Sequence, residues 1–136
     1  FTGSNNQKSL LKFDLSGIDA RTILGAKLRI YGRCTELSTL DFNVDLYVYP
    51  VPDNTWKEDT VTWNNAPERQ KPQLDRGKVS NDDAKYYKYD VTNYVKQKYS
   101  EDKLISFELN ESQKKAVFNS KENEENKPEM LIVYEK

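Results

Sequence analysis

The sequence predicts an all-β fold, namely an antiparallel β-sandwich of jelly-roll type with one short helix. Apolar and polar residues alternate with a period of two along several short segments, which is the pattern of strands buried on one face. Nine Tyr, five Phe and two Trp also favour strands, because flat side chains pack well on a pleated surface. Polar turns separate the segments, and no internal repeat interrupts them. We therefore expect residues 1–136 to form a single domain with one core.

Seven strands and one helix are predicted. The strands lie at residues 9–15, 26–31, 42–49, 86–91, 104–109, 115–120 and 130–134, and a long turn is expected at 69–83. The last strand is apolar on both faces, which predicts a central position covered on both sides. Thr92 is the expected N-cap of the helix, since Tyr94, Val95 and Tyr99 follow at helical spacing.

Composition argues against several classes of function. The absence of His removes the commonest general base and the usual zinc ligand, and the lone Cys34 allows no internal disulfide. A net charge of −1 argues against a general nucleic-acid binder, and no segment is long and apolar enough to span a membrane. Asp53, Glu58 and Asp59 could offer oxygen ligands to a structural calcium ion, but they lack the spacing of a calcium loop. We predict no catalytic residue, no metal site and no cofactor.

A basic sector lies near the N-terminus. Residues 8–33 contain six basic and two acidic side chains, a local charge of +4 in a chain of −1. The alternation places Lys12, Lys27 and Arg29 opposite the core residues of their strands. We expect these strands to be neighbours, so that the three cations form one patch about one sugar unit long, which would repel itself unless an anion compensates. An ordinary solvated face is the alternative.

Tyrosines fall on the same predicted face as the cations. Tyr31 and Tyr47, together with Tyr49, alternate with core residues, and Asn119 and Lys121 could complete the far wall of a groove. Cations and flat rings together suit an anionic sugar, because the cations donate hydrogen bonds to carboxylates and the rings pack against sugar C–H groups. We therefore predict ligand-binding roles for Lys12, Lys27, Arg29, Tyr31, Tyr47, Asn119 and Lys121.

Trp56 and Trp63 flank an acidic turn and form the most distinctive segment of the chain. One of them could serve as a platform for a sugar ring. Tryptophans that anchor a loop into the edge of a sandwich are more common, so we interpret both as scaffold.

Short motifs in a fixed order carry a family resemblance. They are residues 11–16 (LKFDLS), 25–31 (GAKLRIY), 48–51 (VYPV), 55–67 (TWKEDTVTWNNAP), 89–92 (YDVT), 118–122 (FNSKE) and 127–128 (KP). This order resembles the DNRLRE-type β-sandwich domains, which include carbohydrate-binding module family 96. The resemblance spans nearly the whole chain.

The resemblance implies a jelly roll whose basic groove takes alginate or a related uronic-acid polymer. Such domains are typically appended to secreted bacterial polysaccharide-degrading enzymes or to surface proteins, so the expected partners are an acidic polysaccharide and a catalytic domain in the parent chain. We expect a secreted or cell-surface monomer excised from a larger protein. The family normally has another strand before Leu11, which is expected to be missing here, and Lys8 stands where the family usually has Arg.

Two other functions are compatible with this sequence. The first is a structural or adhesion module of a bacterial surface protein that binds no ligand of its own. The second is a jelly-roll polysaccharide lyase, in which Arg, Asn and Tyr would have to replace the missing His. The leading hypothesis is a non-catalytic module that docks an attached enzyme onto an acidic polysaccharide.

Overall fold

The computed structural model describes residues 7–34, 43–62, 64–80, 84–111, 116–118 and 125–135. It confirms the predicted all-β fold, with 52% of the chain in strands, two antiparallel sheets and one short helix. The elements in chain order are β1 (Gln7–Asp14), β2 (Thr22–Cys34), β3 (Asn43–Val51), β4 (Asp75–Ser80), β5 (Lys85–Asp90), α1 (Thr92–Tyr99), β6 (Leu104–Glu111), β7 (Ala116–Phe118) and β8 (Glu129–Glu135).

The strands form two sheets that pack face to face. Sheet 1 has the order β1-β6-β3-β4. In sheet 2, β2 is central and pairs with β5 along one edge. Along its other edge, the first part of β2 pairs with β8 and the last part pairs with β7. Successive strands cross repeatedly between the sheets, so strands that follow one another in sequence are seldom neighbours. This is the connectivity of a jelly roll.

The main core lies between the two sheets. Leu46 and Val48 contribute from sheet 1, Leu28 and Ile30 contribute from sheet 2, and each of these side chains is at most 1% exposed. Their sequence neighbours point to the outer faces, because successive strand residues alternate sides. The predicted alternation of core residues is therefore confirmed for these strands.

A smaller core lies on the outer face of sheet 1. Leu10, Val51 and Trp56 are buried there, and Val61 and Ala66 pack against them. The chain between β3 and β4 folds back over this part of the sheet. We call its residues 52–62 and 64–70 the covering segment. One end of the outer face of sheet 1 is thus closed, and no described residue covers the other end.

Three details of the predicted elements are wrong. Residues 75–80 form β4 inside the predicted turn. The sequence did not predict this strand because Gly77 interrupts the apolar alternation that would have indicated it. Among the described residues, strand β8 pairs with β2 alone, and it exposes Leu131 and Val133, so it is not a central strand covered on both sides. The helix N-cap position is Val91, with Thr92 as the first helical residue. Within the described residues, no helix combines the length and the apolar character needed to cross a membrane.

Candidate functional site

The predicted basic patch is divided between the two outer faces of the sandwich. Lys12 lies on β1 in sheet 1, whereas Lys27 and Arg29 lie on β2 in sheet 2. All three alternate with core residues, so Lys12 projects from one side of the domain and the other two from the opposite side. The prediction of a single patch is wrong because it assumed that β1 and β2 are neighbours, and β1 pairs with β6 instead.

Lys12 holds the covering segment to sheet 1. Its Nζ donates to the backbone oxygen of Asn54 at 2.9 Å and to that of Trp56, and it lies 4.8 Å from the centre of the Trp56 ring. A lysine ammonium has three donors, and two of them are committed to these carbonyls. Lys12 is therefore part of the scaffold in this structure.

Trp56 is the main anchor of the covering segment. Its side chain is buried, and its Nε1 donates to the hydroxyl of Ser106 at 2.9 Å. Asn54 fixes the same region by donating from Nδ2 to the backbone oxygen of Leu104 at 2.9 Å. The scaffold interpretation of Trp56 agrees with this burial, while Trp63 lies outside the described residues.

On the outer face of sheet 2, the predicted cations are paired with acids. Lys27 Nζ lies 3.4 Å from Asp90, and Arg29 donates to Glu129 at 2.6 Å. The Arg29 guanidinium also lies 4.0 Å from the centre of the Tyr86 ring. These contacts satisfy much of the positive charge that the sequence places on this face.

Tyr31 belongs to the same cluster on sheet 2. Its ring meets that of Tyr86 edge-on at 5.2 Å, and the Tyr86 hydroxyl lies within hydrogen-bond distance of the Lys127 backbone oxygen and of Glu129. Desolvation, followed by the Glu129 carboxylate, raises the pKa of Tyr86. Tyr31 and Tyr47, predicted to share a face, are on opposite faces of the sandwich.

An open row of side chains crosses the outer face of sheet 1. In the strand register Tyr47 lies between Asn110 on β6 and Arg76 on β4. The backbone of Lys8 on β1 continues the row beyond Asn110. Neighbouring strands are ~4.8 Å apart, so the four positions span ~14 Å. The row carries hydrogen-bond donors on both sides of a tyrosine ring.

A second row lies beside the first, next to the covering segment. Tyr49 follows Tyr47 on the same face of β3, and the two ring centres are 6.3 Å apart with planes inclined by 31°. Arg69, which comes from the covering segment, lies 4.2 Å from the centre of the Tyr49 ring and donates to Glu108 at 2.9 Å. The two tyrosines and Arg69 together form a short aromatic strip with a wall at one end.

The charges on this face are unequally matched. Lys78 lies 3.4 Å from Asp45, and Glu108, which pairs with Arg69, is only 2% exposed. Arg76 is exposed and, among the described residues, forms neither an ion pair nor a side-chain hydrogen bond. The face therefore offers a guanidinium available to an outside carboxylate, beside a tyrosine ring that can pack against a flat apolar surface.

Sequence reasoning missed Arg69 and Arg76 because both lie in the predicted turn at 69–83. In the Asp75–Ser80 segment Arg76 and Lys78 alternate with Gly77 and Val79, which is a weak signal for the strand that presents Arg76. Nothing local could have placed Arg69 over Tyr49, since that contact depends on the path of the covering segment. The predicted site residues Asn119 and Lys121 lie outside the described residues.

The acidic residues considered for calcium are engaged otherwise or dispersed. Asp53 accepts hydrogen bonds from the hydroxyl and the backbone N–H of Thr55, and these bonds lower its pKa. Among the residues that the structure describes, no three Cys, Asp or Glu side chains are grouped so that they could hold a metal ion.

Comparison with known proteins identifies relatives of the whole chain. The model of carbohydrate-binding module family 96 matches residues 1–134. A gellan lyase from Bacillus sp is 29% identical over an alignment of 132 residues, and the match covers 90% of this chain. The chain spans only 5% of the length of that curated relative.

Proposed function

Because this chain belongs to carbohydrate-binding module family 96, we propose that it is a non-catalytic module that holds an attached polysaccharide-degrading enzyme on an acidic polysaccharide such as alginate. The small share of the gellan lyase that the chain matches supports an attachment to a much larger protein. Enzymes that degrade long polysaccharides act outside the cell, so the proposed location is extracellular.

One observation carries the choice of binding face, namely the open strip on the outer face of sheet 1. Tyr47 and Tyr49 present two rings, while Arg76 and Asn110 flank Tyr47 on the neighbouring strands. Sugar rings have apolar C–H faces and polar edges, so a tyrosine with hydrogen-bond donors beside it matches both. We place the polysaccharide along this strip.

The proposed mechanism uses no covalent chemistry. Arg76 donates hydrogen bonds to a carboxylate, Tyr47 packs against one sugar ring, the next sugar meets the Arg69 guanidinium stacked on Tyr49, and Asn110 bonds a hydroxyl. Charge-assisted hydrogen bonds contribute about 1.5–3 kcal/mol each, from which the ordering of the flexible sugar chain is subtracted. The expected dissociation constants lie roughly between millimolar and micromolar. Such affinities suffice for a tethered enzyme, because attachment raises its effective concentration at the substrate.

The outer face of sheet 2 is a less favourable place for the ligand. A carboxylate approaching Arg29 must compete with Glu129 at 2.6 Å, and one approaching Lys27 must compete with Asp90. Lys12 is also a weak candidate, since moving it would release the carbonyls of the covering segment. We therefore assign these residues to structure, although the sequence favoured them for binding.

The test compares two charge-matched variants by affinity electrophoresis in gels that contain alginate. Arg76→Gln removes one positive charge from sheet 1, and Lys88→Gln removes one from the exposed outer face of sheet 2, opposite Arg29 in the register. We expect the wild type to be retarded at low salt, with the retardation weakening as salt is added. Arg76→Gln should lose about tenfold in affinity, whereas Lys88→Gln should stay within about twofold.

Three outcomes contradict parts of the proposal. Absence of retardation at low salt on any acidic polysaccharide would support a structural spacer. If the Lys27→Ala, Arg29→Ala double variant lost more affinity for alginate than Arg76→Gln does, the binding site would lie on sheet 2. Release of unsaturated uronates by the isolated domain would show a lyase and end the description as non-catalytic.

A further inference from the structure

Besides Lys12, whose ammonium is bonded to the carbonyls of the covering segment, the outer face of sheet 1 carries three cations with described side chains, and two of these three have an acidic partner on the same face. Arg69 is paired with Glu108, and Lys78 is paired with Asp45. Arg76 stands between these pairs in the strand register and has no acidic partner among the described residues. The sum of these five charges is +1, although the face looks strongly basic when only its cations are counted.

The charge of Arg69 is neutralised by Glu108 more strongly than that of Lys78 is by Asp45. The Glu108 side chain is 3% exposed, and Asn110 donates to the same carboxylate oxygen at 3.3 Å. A buried carboxylate cannot be left without its partner, because water does not replace the lost interaction. An outside carboxylate therefore cannot draw Arg69 away, and it meets a pair that carries almost no net charge.

The Lys78–Asp45 pair is weaker but has the same effect on a ligand. Both side chains are well exposed, and their 3.4 Å separation is that of an ordinary surface pair. A second carboxylate near Lys78 would also lie near the Asp45 carboxylate, which repels it. Attraction to Lys78 and repulsion from Asp45 therefore largely cancel.

The two tyrosines lie beside differently charged arginines, so neighbouring sugars of a bound chain would meet different charges. Tyr47 lies beside the available Arg76, whereas Tyr49, 6.3 Å away, lies under the neutralised Arg69. A sugar that packs on Tyr47 thus gains from carrying a carboxylate, and the next sugar, which meets the Arg69–Tyr49 stack, does not. The domain as a whole has a net charge of −1, so it provides no general attraction for a polyanion.

We infer that this face selects a polysaccharide in which uronates are separated by neutral sugars, over a polymer with a carboxylate on every unit. The inference rests on the proposed function, since it assumes that the strip on sheet 1 binds a sugar chain. It narrows the ligand from acidic polysaccharides in general to those of low carboxylate density.

The experiment uses one backbone at several charge densities. Alginate carries a carboxylate on every unit, and chemical reduction converts chosen fractions of these groups to neutral alcohols. We expect the affinity of the wild type to be unchanged or higher when half of the carboxylates are reduced, and to fall about tenfold when all are reduced. The logarithm of the affinity should fall with the logarithm of the salt concentration with a slope near −1, as for about one ionic contact.

A charge-releasing variant tests the cause of this selectivity. Glu108→Gln keeps the shape of the side chain and removes the charge that neutralises Arg69. The variant should bind fully charged alginate about fivefold more tightly than the wild type does, with a salt slope near −2. The matched control is Glu129→Gln, which releases Arg29 on the opposite face and should leave both quantities unchanged. If Glu108→Gln unfolds, Asp45→Asn on the exposed Lys78 pair makes the same test, with an expected gain of about twofold.

The outcomes separate the inference from the proposed function. Tightest binding of the wild type to fully charged alginate, with a salt slope of −3 or steeper, would overturn the inference and leave the proposed function standing. An unchanged affinity in the folded charge-releasing variants would also overturn it. Failure of the wild type to bind any polymer of the series, charged or reduced, would remove the proposed function itself.

Discussion

The two outer faces of the sandwich carry the same trio of residue types in different surroundings. On sheet 1, Arg69 lies 4.2 Å from the Tyr49 ring and 2.9 Å from Glu108. On sheet 2, Arg29 lies 4.0 Å from the Tyr86 ring and 2.6 Å from Glu129. The acids differ, because the Glu108 side chain is 3% exposed and that of Glu129 is 44% exposed.

This difference in burial gives the two trios different roles. Glu108 is paired in the register with Leu10, which is buried with Trp56 of the covering segment, so the Arg69 pair fastens that segment to the sheet. Glu129 has no such cover, and its pair with Arg29 is largely a surface contact. An arginine over a tyrosine with a glutamate partner is therefore not by itself a sign of either structure or binding. The burial of the glutamate determines whether the arginine has a structural role.

The largest expected effect that separates the faces comes from removing the anchor of the covering segment. Trp56→Ala deletes a buried side chain and its hydrogen bond to Ser106, so it should lower the free energy of unfolding by about 3 kcal/mol. The matched change on sheet 2 is Val133→Ala, at a position that is 63% exposed, and it should stay within about 0.5 kcal/mol. Urea unfolding followed by fluorescence measures both. Equal losses would mean that the covering segment contributes nothing to stability.

The next effect compares the two arginines directly. Arg69→Ala removes the cation that pairs with the buried Glu108 carboxylate and leaves its hydrogen bond from Asn110, so we expect a loss of about 2 kcal/mol in the free energy of unfolding, less than for a fully buried pair because Arg69 is partly exposed. Arg29→Ala should cost less than about 1 kcal/mol, since Glu129 can turn to water. Chemical denaturation at neutral pH gives both values. A double variant, Arg69→Ala with Glu108→Gln, should recover part of the loss, and no recovery would contradict the role of the pair.

The smallest expected effect is a pH dependence of folding stability, to which both sheet 2 and the covering segment on sheet 1 contribute. Asp90, the last residue of β5 in sheet 2, accepts hydrogen bonds from the hydroxyl and the backbone N–H of Thr92, and these bonds lower its pKa from 3.8. A carboxyl whose folded pKa is lowered contributes stability above the unfolded value and loses it as the pH falls through the folded value. Asp53 and Thr55 repeat the arrangement in the covering segment. Stability should therefore decline below about pH 4, as the unfolded value of 3.8 requires.

Asparagine substitutions check this pH dependence. Asp90→Asn and Asp53→Asn should each flatten the decline of the melting temperature between neutral and acidic pH, because the amide does not titrate. Asp59→Asn serves as the control, because Asp59 is exposed and accepts no hydrogen bond from a threonine among the described residues. A decline as steep in both variants as in the wild type would show that other carboxyls control acid unfolding.

Much of the fold followed from local pattern, and much less of the candidate site did. The alternation of Leu28 and Ile30 with Lys27 and Arg29 gave the correct inner and outer sides of β2, because side-chain direction in a strand depends on sequence position alone. Strand β4 escaped detection because Gly77 stands where an apolar residue would have marked it. The apolar β8 was misplaced for a different reason, since periodicity does not report how many partners a strand has.

What the sequence by itself determined is therefore the all-β class, the family and the face of its own strand that each side chain occupies. Only the tertiary structure decided which faces coincide. Lys12 and Arg29 both point away from the core, yet the crossing connections of the jelly roll put them on opposite sides. Arg69 and Arg76 reach the tyrosines of β3 through one loop and one strand pairing. Pairing between distant strands depends on the whole core, and no local pattern encodes it.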